Sequence, residues 1–177
     1  TCHQPELDYT DGLTTPTDIL DSSIHLTRNA PTLIDAALQS NYFYDMRALT
    51  LEDQAKDVIS NKHEMDGSIE AALQYVSSNA TYKRLFKEAF PVEKWDNKIN
   101  EDELTNALAS YIRSLVKLNS RFDQFMQGQK NALNKQEING FNLFMGKARC
   151  ATCHFIPLFN GVTPPKFNCT FAPTLAE

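Results

Sequence analysis

The sequence predicts an all-α fold of two related modules. Three observations carry this. Apolar residues recur at helical spacings of three and four in stretch after stretch, and nothing of strand length alternates with period two. Two Cys-His pairs, Cys2-His3 and Cys153-His154, stand near opposite ends of the chain. Each pair is followed by the same four letters, Ala30-Pro31-Thr32-Leu33 after the first and Ala172-Pro173-Thr174-Leu175 after the second, which reads as an internal duplication.

The elements follow in order. Pro31 suits the first turn of a helix over 31–40, with Leu33, Ala37 and Leu38 on one face. Thr50 and Asp53 form a capping-box-like start for 51–60. Ile69, Ala72, Leu73 and Val76 mark a short helix. Tyr82, Leu85, Phe86, Ala89 and Phe90 mark another, stopped by Pro91. Asn100 and Glu103 cap a longer helix with the stripe Leu104, Ala107, Leu108, Tyr111, Ile112 and Leu115. Asn134 and Glu137 cap the last, which carries Ile138, Phe141 and Met145 and runs into Cys150. The Pro-rich residues 155–177 read as loop. The Leu and aromatic stripes are expected to be core packing.

Composition narrows the function. The 177 residues are 42% hydrophobic and 22% charged, an ordinary soluble balance. A net charge of −5 gives no basis for nucleic acid or an anionic membrane surface as partner. No apolar run reaches the ~18 residues a membrane span needs. With neither an initiator Met nor a signal peptide, the chain is expected to begin late. Four cysteines are too few for a disulfide scaffold, and three of them sit in or beside Cys-His pairs.

Residues 150–154 read CATCH, a complete C-x-x-C-H, the attachment signal for c-type haem. Two thiols a turn apart can add to the two vinyl groups of one porphyrin, and the adjacent His then lies under the iron as axial ligand. A zinc site would want a second pair of ligands, which is missing here. A redox dithiol would follow a strand, whereas this motif follows a helix. Residues 1–3, TCH, look like the end of the same motif with its leading cysteine absent. Either that cysteine precedes Thr1 or the first haem hangs from one thioether, and the late start favours the former.

The chain resembles the bacterial di-haem cytochrome c peroxidases, the family that includes the MauG enzymes. The matching residues are TCHQPELDYTDGL at 1–13, RNAPTLIDAAL at 28–38, YFYDMRALTLEDQA at 42–55 and NKHEM at 61–65. They continue with ALASYIRSLVKLNSRFDQFMQG at 107–128 and GFNLFMGKARCATCHF at 140–155. The resemblance implies two cytochrome c-like haem modules related by duplication, residues 1–100 and 101–177. The second is incomplete here, since only 23 residues follow His154 and none is Met or Tyr, the family's usual second axial ligands. The family's F-W-D-G-R stands here as Phe43-Tyr44-Asp45-Met46-Arg47.

The resemblance also implies roles. Two haem c groups would be covalently bound, one at Cys2 and His3, the other at Cys150, Cys153 and His154. The His3 haem would bind peroxide and the His154 haem would take electrons from a donor. Gln54 and Glu64, ten residues apart as in the family, would form the distal pair. Gln54 would orient peroxide or water, and Glu64 would shuttle the proton. Tyr44 stands for the inter-haem Trp, as electron relay or as core aromatic. Asn29 matches a contact to an inter-haem calcium, with Thr170 and Pro173 supplying further oxygens. His25 is a candidate distal iron ligand or a surface histidine. His63 is expected at the surface or the pocket rim, and Cys169 has no assigned role.

Three functions compete. The first is a periplasmic peroxidase reducing hydrogen peroxide with electrons from a small cytochrome or cupredoxin. The second is a MauG-like oxidase of a protein or small molecule. The third is a non-enzymatic di-haem electron-transfer subunit. The chain would act as a homodimer or as a subunit of a larger redox complex.

Overall fold

The computed structural model describes residues 2–91 and 98–160. Among the described residues six α-helices follow one another: α1 (Leu51–Ser60), α2 (Ile69–Ser78), α3 (Ala80–Ala89), α4 (Glu101–Ser114), α5 (Arg121–Met126) and α6 (Lys135–Met145). Among the described residues there is no sheet, only three isolated bridges that close loops.

Local chemistry accounts for the starts. Thr50, Ser68, Asn79, Asn100, Ser120 and Asn134 each accept a hydrogen bond from a backbone N–H of the first helical turn. Such caps typically contribute ~1 kcal/mol each. Asn79 ends α2 and caps α3, so one residue breaks what would otherwise be a single long helix.

The core is small. Val76, Phe86, Ile99 and Leu104 form its buried centre, and Ala72, Leu73, Phe90 and Ala107 pack around it. Phe86 and Phe90 stack with centroids 5.8 Å apart. α4 also packs on α1. There Arg113 donates two hydrogen bonds to Glu52, at 2.7 and 3.1 Å, and Lys56 pairs with Glu101. Just past the C-terminus of α4 the backbone N–H of Lys117 donates to Asp35 Oδ1 at 2.6 Å.

Three expectations are corrected. The helix expected over 31–40 reduces to a 3₁₀ turn, Ala36–Leu38. Thr32 Oγ1 accepts from the Ile34 N–H, and Asp35 takes a left-handed conformation (φ 58°) while its carboxylate binds the chain after α4. Side-chain hydrogen bonds compete here with the helical ladder and win. The α4 stripe is only partly core: Leu104, Thr105 and Ala109 are buried, while Leu108 and Tyr111 are exposed. Tyr111 instead reaches Tyr9, hydroxyl to hydroxyl at 3.1 Å, and ties α4 to the His3 segment. Finally, α6 stops at Met145, and a turn through Arg149 separates it from Cys150.

Candidate functional site

The two Cys-His segments share one local geometry. His3 Nδ1 lies 2.8 Å from the carbonyl oxygen of Tyr9, and His154 Nδ1 lies 2.8 Å from that of Phe159. A carbonyl can only accept, so each Nδ1 donates, and each Nε2 is the ring nitrogen left to bind a metal. Both accepting residues are left-handed, Tyr9 at φ 58° and Phe159 at φ 56°, which turns their carbonyls back on the rings.

Around His154 the backbone is wound tightly. Cys150–Thr152 form a 3₁₀ turn, and the N–H groups of Cys153 and His154 both donate to the Cys150 carbonyl, at 3.1 and 2.9 Å. Cys2, Cys150 and Cys153 are free thiols, the first and last of them exposed. Behind the ring, Phe122, Phe141, Phe144 and Phe159 form an aromatic cluster with centroids 5.0–6.4 Å apart, and Phe144 lies 6.2 Å from the His154 ring. Accessible thiols, a histidine with fixed tautomer and an apolar floor fit a covalently held haem with axial His.

Glu64 comes to the His3 side from the loop after α1. Its carboxyl is half-buried and accepts from Asn61 Nδ2 at 2.8 Å. Burial pushes its pKa above the ordinary carboxylate value, while the Arg47 charge, the Asn61 hydrogen bond and a smaller pull from His3 act the other way. Gln54 is half-buried within α1, in its first half, upstream of that loop.

Tyr44 sits at the tip of a loop closed by the Tyr42–Ala48 bridge, and its ring is exposed. It lines a cleft of about 520 Å³ with Asp8, Pro31, Phe43, Leu158 and Asn160. The cleft thus joins the residue beside Tyr9 to those flanking Phe159, so the loops behind the two histidines face a common space. Asp45 fixes the Tyr44 loop by accepting from Arg28 and Arg47, each at 3.0 Å.

Asn29 donates from Nδ2 to the carbonyls of Leu13 and Thr14, at 2.8 and 3.2 Å, which leaves Oδ1 as an acceptor. Thr170, Pro173, Cys169 and the second A-P-T-L lie outside the described residues. His25 is exposed, and its Nδ1 lies 3.3 Å from the carbonyl of Thr15 in its own loop.

Sequence reasoning missed two features here. Asp11 is buried, and its Oδ2 has no partner among the described residues. Asp18, also buried, binds His63, Nδ1 to Oδ2 at 2.5 Å, across 45 residues of sequence. Neither pattern announces itself in a linear motif.

The family model described as "Di-haem cytochrome c peroxidase" matches residues 1–131. Cytochrome c551 peroxidase of Nitrosomonas europaea is 35% identical over 167 residues, covering 94% of this chain and 48% of the relative. Methylamine utilization protein MauG of Methylophilus methylotrophus is 34% identical, covering 87% and 45%. A solved MauG-like protein associated with microbial copper homeostasis superposes with a TM-score of 0.71 at 26% identity, covering 86% of this chain and 44% of that one. The chain spans about half the length of the curated relatives it matches. It belongs to the di-haem cytochrome c peroxidase family.

Proposed function

We propose that this chain forms the peroxide-reacting part of a periplasmic di-haem peroxidase that draws electrons from a small cytochrome or cupredoxin. The observation that carries the reading is Glu64: a half-buried, raised carboxyl electrostatically coupled to His3 and Arg47. A carboxyl whose proton is held more tightly by burial suits proton transfer better than an ordinary solvated carboxylate does.

In this reading His3, with Cys2, and His154, with Cys150 and Cys153, hold two covalent haem c groups. A haem at His3 supplies the redox chemistry on peroxide. The chain's own residues do the rest. Gln54 orients peroxide by hydrogen bonding. Glu64 takes the proton from one peroxide oxygen and returns it to the other, which leaves as water. Arg47 offsets the charge of Glu64 when it is ionised. Tyr44, lining the cleft shared by the two histidine loops, is the candidate electron relay. Asn29 Oδ1 is one oxygen for a calcium ion, with Thr170 and Pro173 as its further ligands. His25, through Nε2, is the candidate distal ligand of the resting site. Residues 1–100 and 101–177 form the two modules, with α4 docked against the first.

Replacing Glu64 with Gln in the full-length, haem-loaded protein keeps size and hydrogen bonding but removes the proton. Peroxide turnover is expected to fall ~10²–10⁴-fold with nearly unchanged haem spectra. Undiminished turnover in Glu64→Gln would overturn Glu64 as the proton carrier, and a wild-type protein that turns over no peroxide would leave the electron-transfer subunit as the better reading.

A MauG-like oxidase is the second reading. Tyr44 favours it specifically, since an exposed aromatic on a cleft wall is a route by which a large substrate could give up electrons.

A further inference from the structure

His63 sits next to Glu64 in sequence, yet its side chain points to a different part of the fold. Its ring binds Asp18, in a loop closed by the Thr17–His25 bridge and by the Asp18 N–H donating to the Ile24 carbonyl at 2.9 Å. Asp18 is 5% exposed, and its other oxygen accepts from the N–H groups of Leu20 and Asp21, at 2.8 and 3.3 Å. The His63 hydrogen bond, then the Leu20 N–H, holds its pKa below the ordinary carboxylate value. Asp18 is therefore an anion fixed in the fold, and His63 is the one basic side chain paired with it among the described residues. A carboxylate this enclosed is costly to leave without its partner.

The anchor continues to Glu64 through one residue. The backbone N–H of His63 donates to Asn61 Oδ1 at 3.0 Å, and Asn61 Nδ2 donates to Glu64 Oε1 at 2.8 Å. The Asn61 carbonyl also accepts from the N–H groups of Glu64 and Asp66, at 3.0 and 2.9 Å. The Gly67 N–H then closes the loop onto the Ile59 carbonyl at 2.9 Å, an approach so close that a Cβ at 67 would stand 3.1 Å from that oxygen. Asn61 alone cannot fix the loop in space, because its side-chain hydrogen bonds lie within 61–64. The tie to the rest of the chain on this side is His63 to Asp18.

We propose that Asp18 and His63 form a clamp that sets where the Glu64 carboxyl stands, making both positioning residues for proton transfer over His3. The clamp rests on the reading of Glu64 as proton carrier. It also joins the loop of Glu64 to the loop that carries His25, so the two segments move together.

The test uses the full-length, haem-loaded protein. His63→Ala removes the clamp from an exposed position, and far-UV circular dichroism checks that the helices are retained. His63→Gln keeps an N–H donor for Asp18. In His63→Ala the backbone amides of Glu64, Asp66 and Gly67 should exchange faster by mass spectrometry, together with those of 18–24, while α4 and α6 stay protected. kcat for peroxide should fall by as much as about 100-fold with KM nearly unchanged. His63→Gln should restore most of both. Unchanged exchange in His63→Ala, or exchange raised throughout the chain, overturns the clamp. Faster local exchange with kcat intact overturns its role on Glu64. If Glu64→Gln leaves turnover unaltered, the proton-carrier reading fails, and the exchange pattern alone then decides whether the clamp exists.

Discussion

The ring of His154 donates from Nδ1 to the carbonyl of Phe159 at 2.8 Å, and the side chain of Phe159 packs on Phe122, Phe141 and Phe144. One residue thus sets the tautomer of the histidine with its backbone and builds the floor beneath it with its ring. Phe159→Ala should therefore cost ~2 kcal/mol, below the roughly 3–5 kcal/mol of a fully buried Phe because Phe159 is half-buried. Thermal unfolding followed by circular dichroism measures the loss. The same variant should broaden the haem absorption, since a looser His154 samples more ring orientations.

Glu64 makes stability depend on pH in an unusual direction. Its folded carboxyl binds its proton more tightly than the ordinary value of 4.5 because of burial. The protonated form is favoured by folding, so its contribution is full below 4.5 and is lost as pH rises through the higher folded value. Wild-type protein should lose stability across that window, and Glu64→Gln should not. Denaturant midpoints at several pH values compare the two.

Glu52 has the opposite sign. The hydrogen bonds from Arg113 hold its pKa below 4.5. Its contribution is present above the ordinary value and is lost as pH falls through the folded one. Arg113 is half-exposed, so solvent screens the pair and Arg113→Ala should cost only about 1 kcal/mol. The loss should shrink in high salt and disappear in acid, as read from denaturant midpoints.

Met46 is strained. It sits at φ 61° with an exposed side chain, where the related motif carries Gly. A left-handed backbone costs a side-chain-bearing residue ~1–2 kcal/mol, and the entropy of an added glycine gives part of that back to the unfolded chain. Met46→Gly should raise stability by up to ~1 kcal/mol, seen as a higher melting temperature.

The helices were legible because their signals are local. Thr50 with Asp53, Asn100 with Glu103 and Asn134 with Glu137 each announce a start within four residues, and each start is where the structure has one. α5 carries the same signal, Ser120 with Asp123, and was overlooked because its six residues are too few to show an apolar period. The turn at Ala36–Leu38 misled because what decides it lies some eighty residues away, at Lys117 and Leu118. Of the candidate site, the motif Cys150-Ala151-Thr152-Cys153-His154 could be read directly, since the chemistry fixes the spacing. Glu64 and Gln54 could be read only through family resemblance, because a lone Glu in a loop is usually solvated. The carbonyls of Tyr9 and Phe159 were invisible, because a backbone acceptor leaves no letter in the sequence. Asp18 was invisible for another reason: its partner His63 becomes a neighbour only when the loops fold together.

The proposed reading has a covalently attached haem at His3 and another at His154. Peptide mass mapping of the full-length protein after proteolysis tests it most directly. Haem mass is expected on the peptide containing Cys150 and Cys153 and on the peptide containing Cys2, with Cys150→Ala/Cys153→Ala removing the first and sparing the second. Unmodified thiols at all three cysteines, or a disulfide between Cys150 and Cys153, would contradict it.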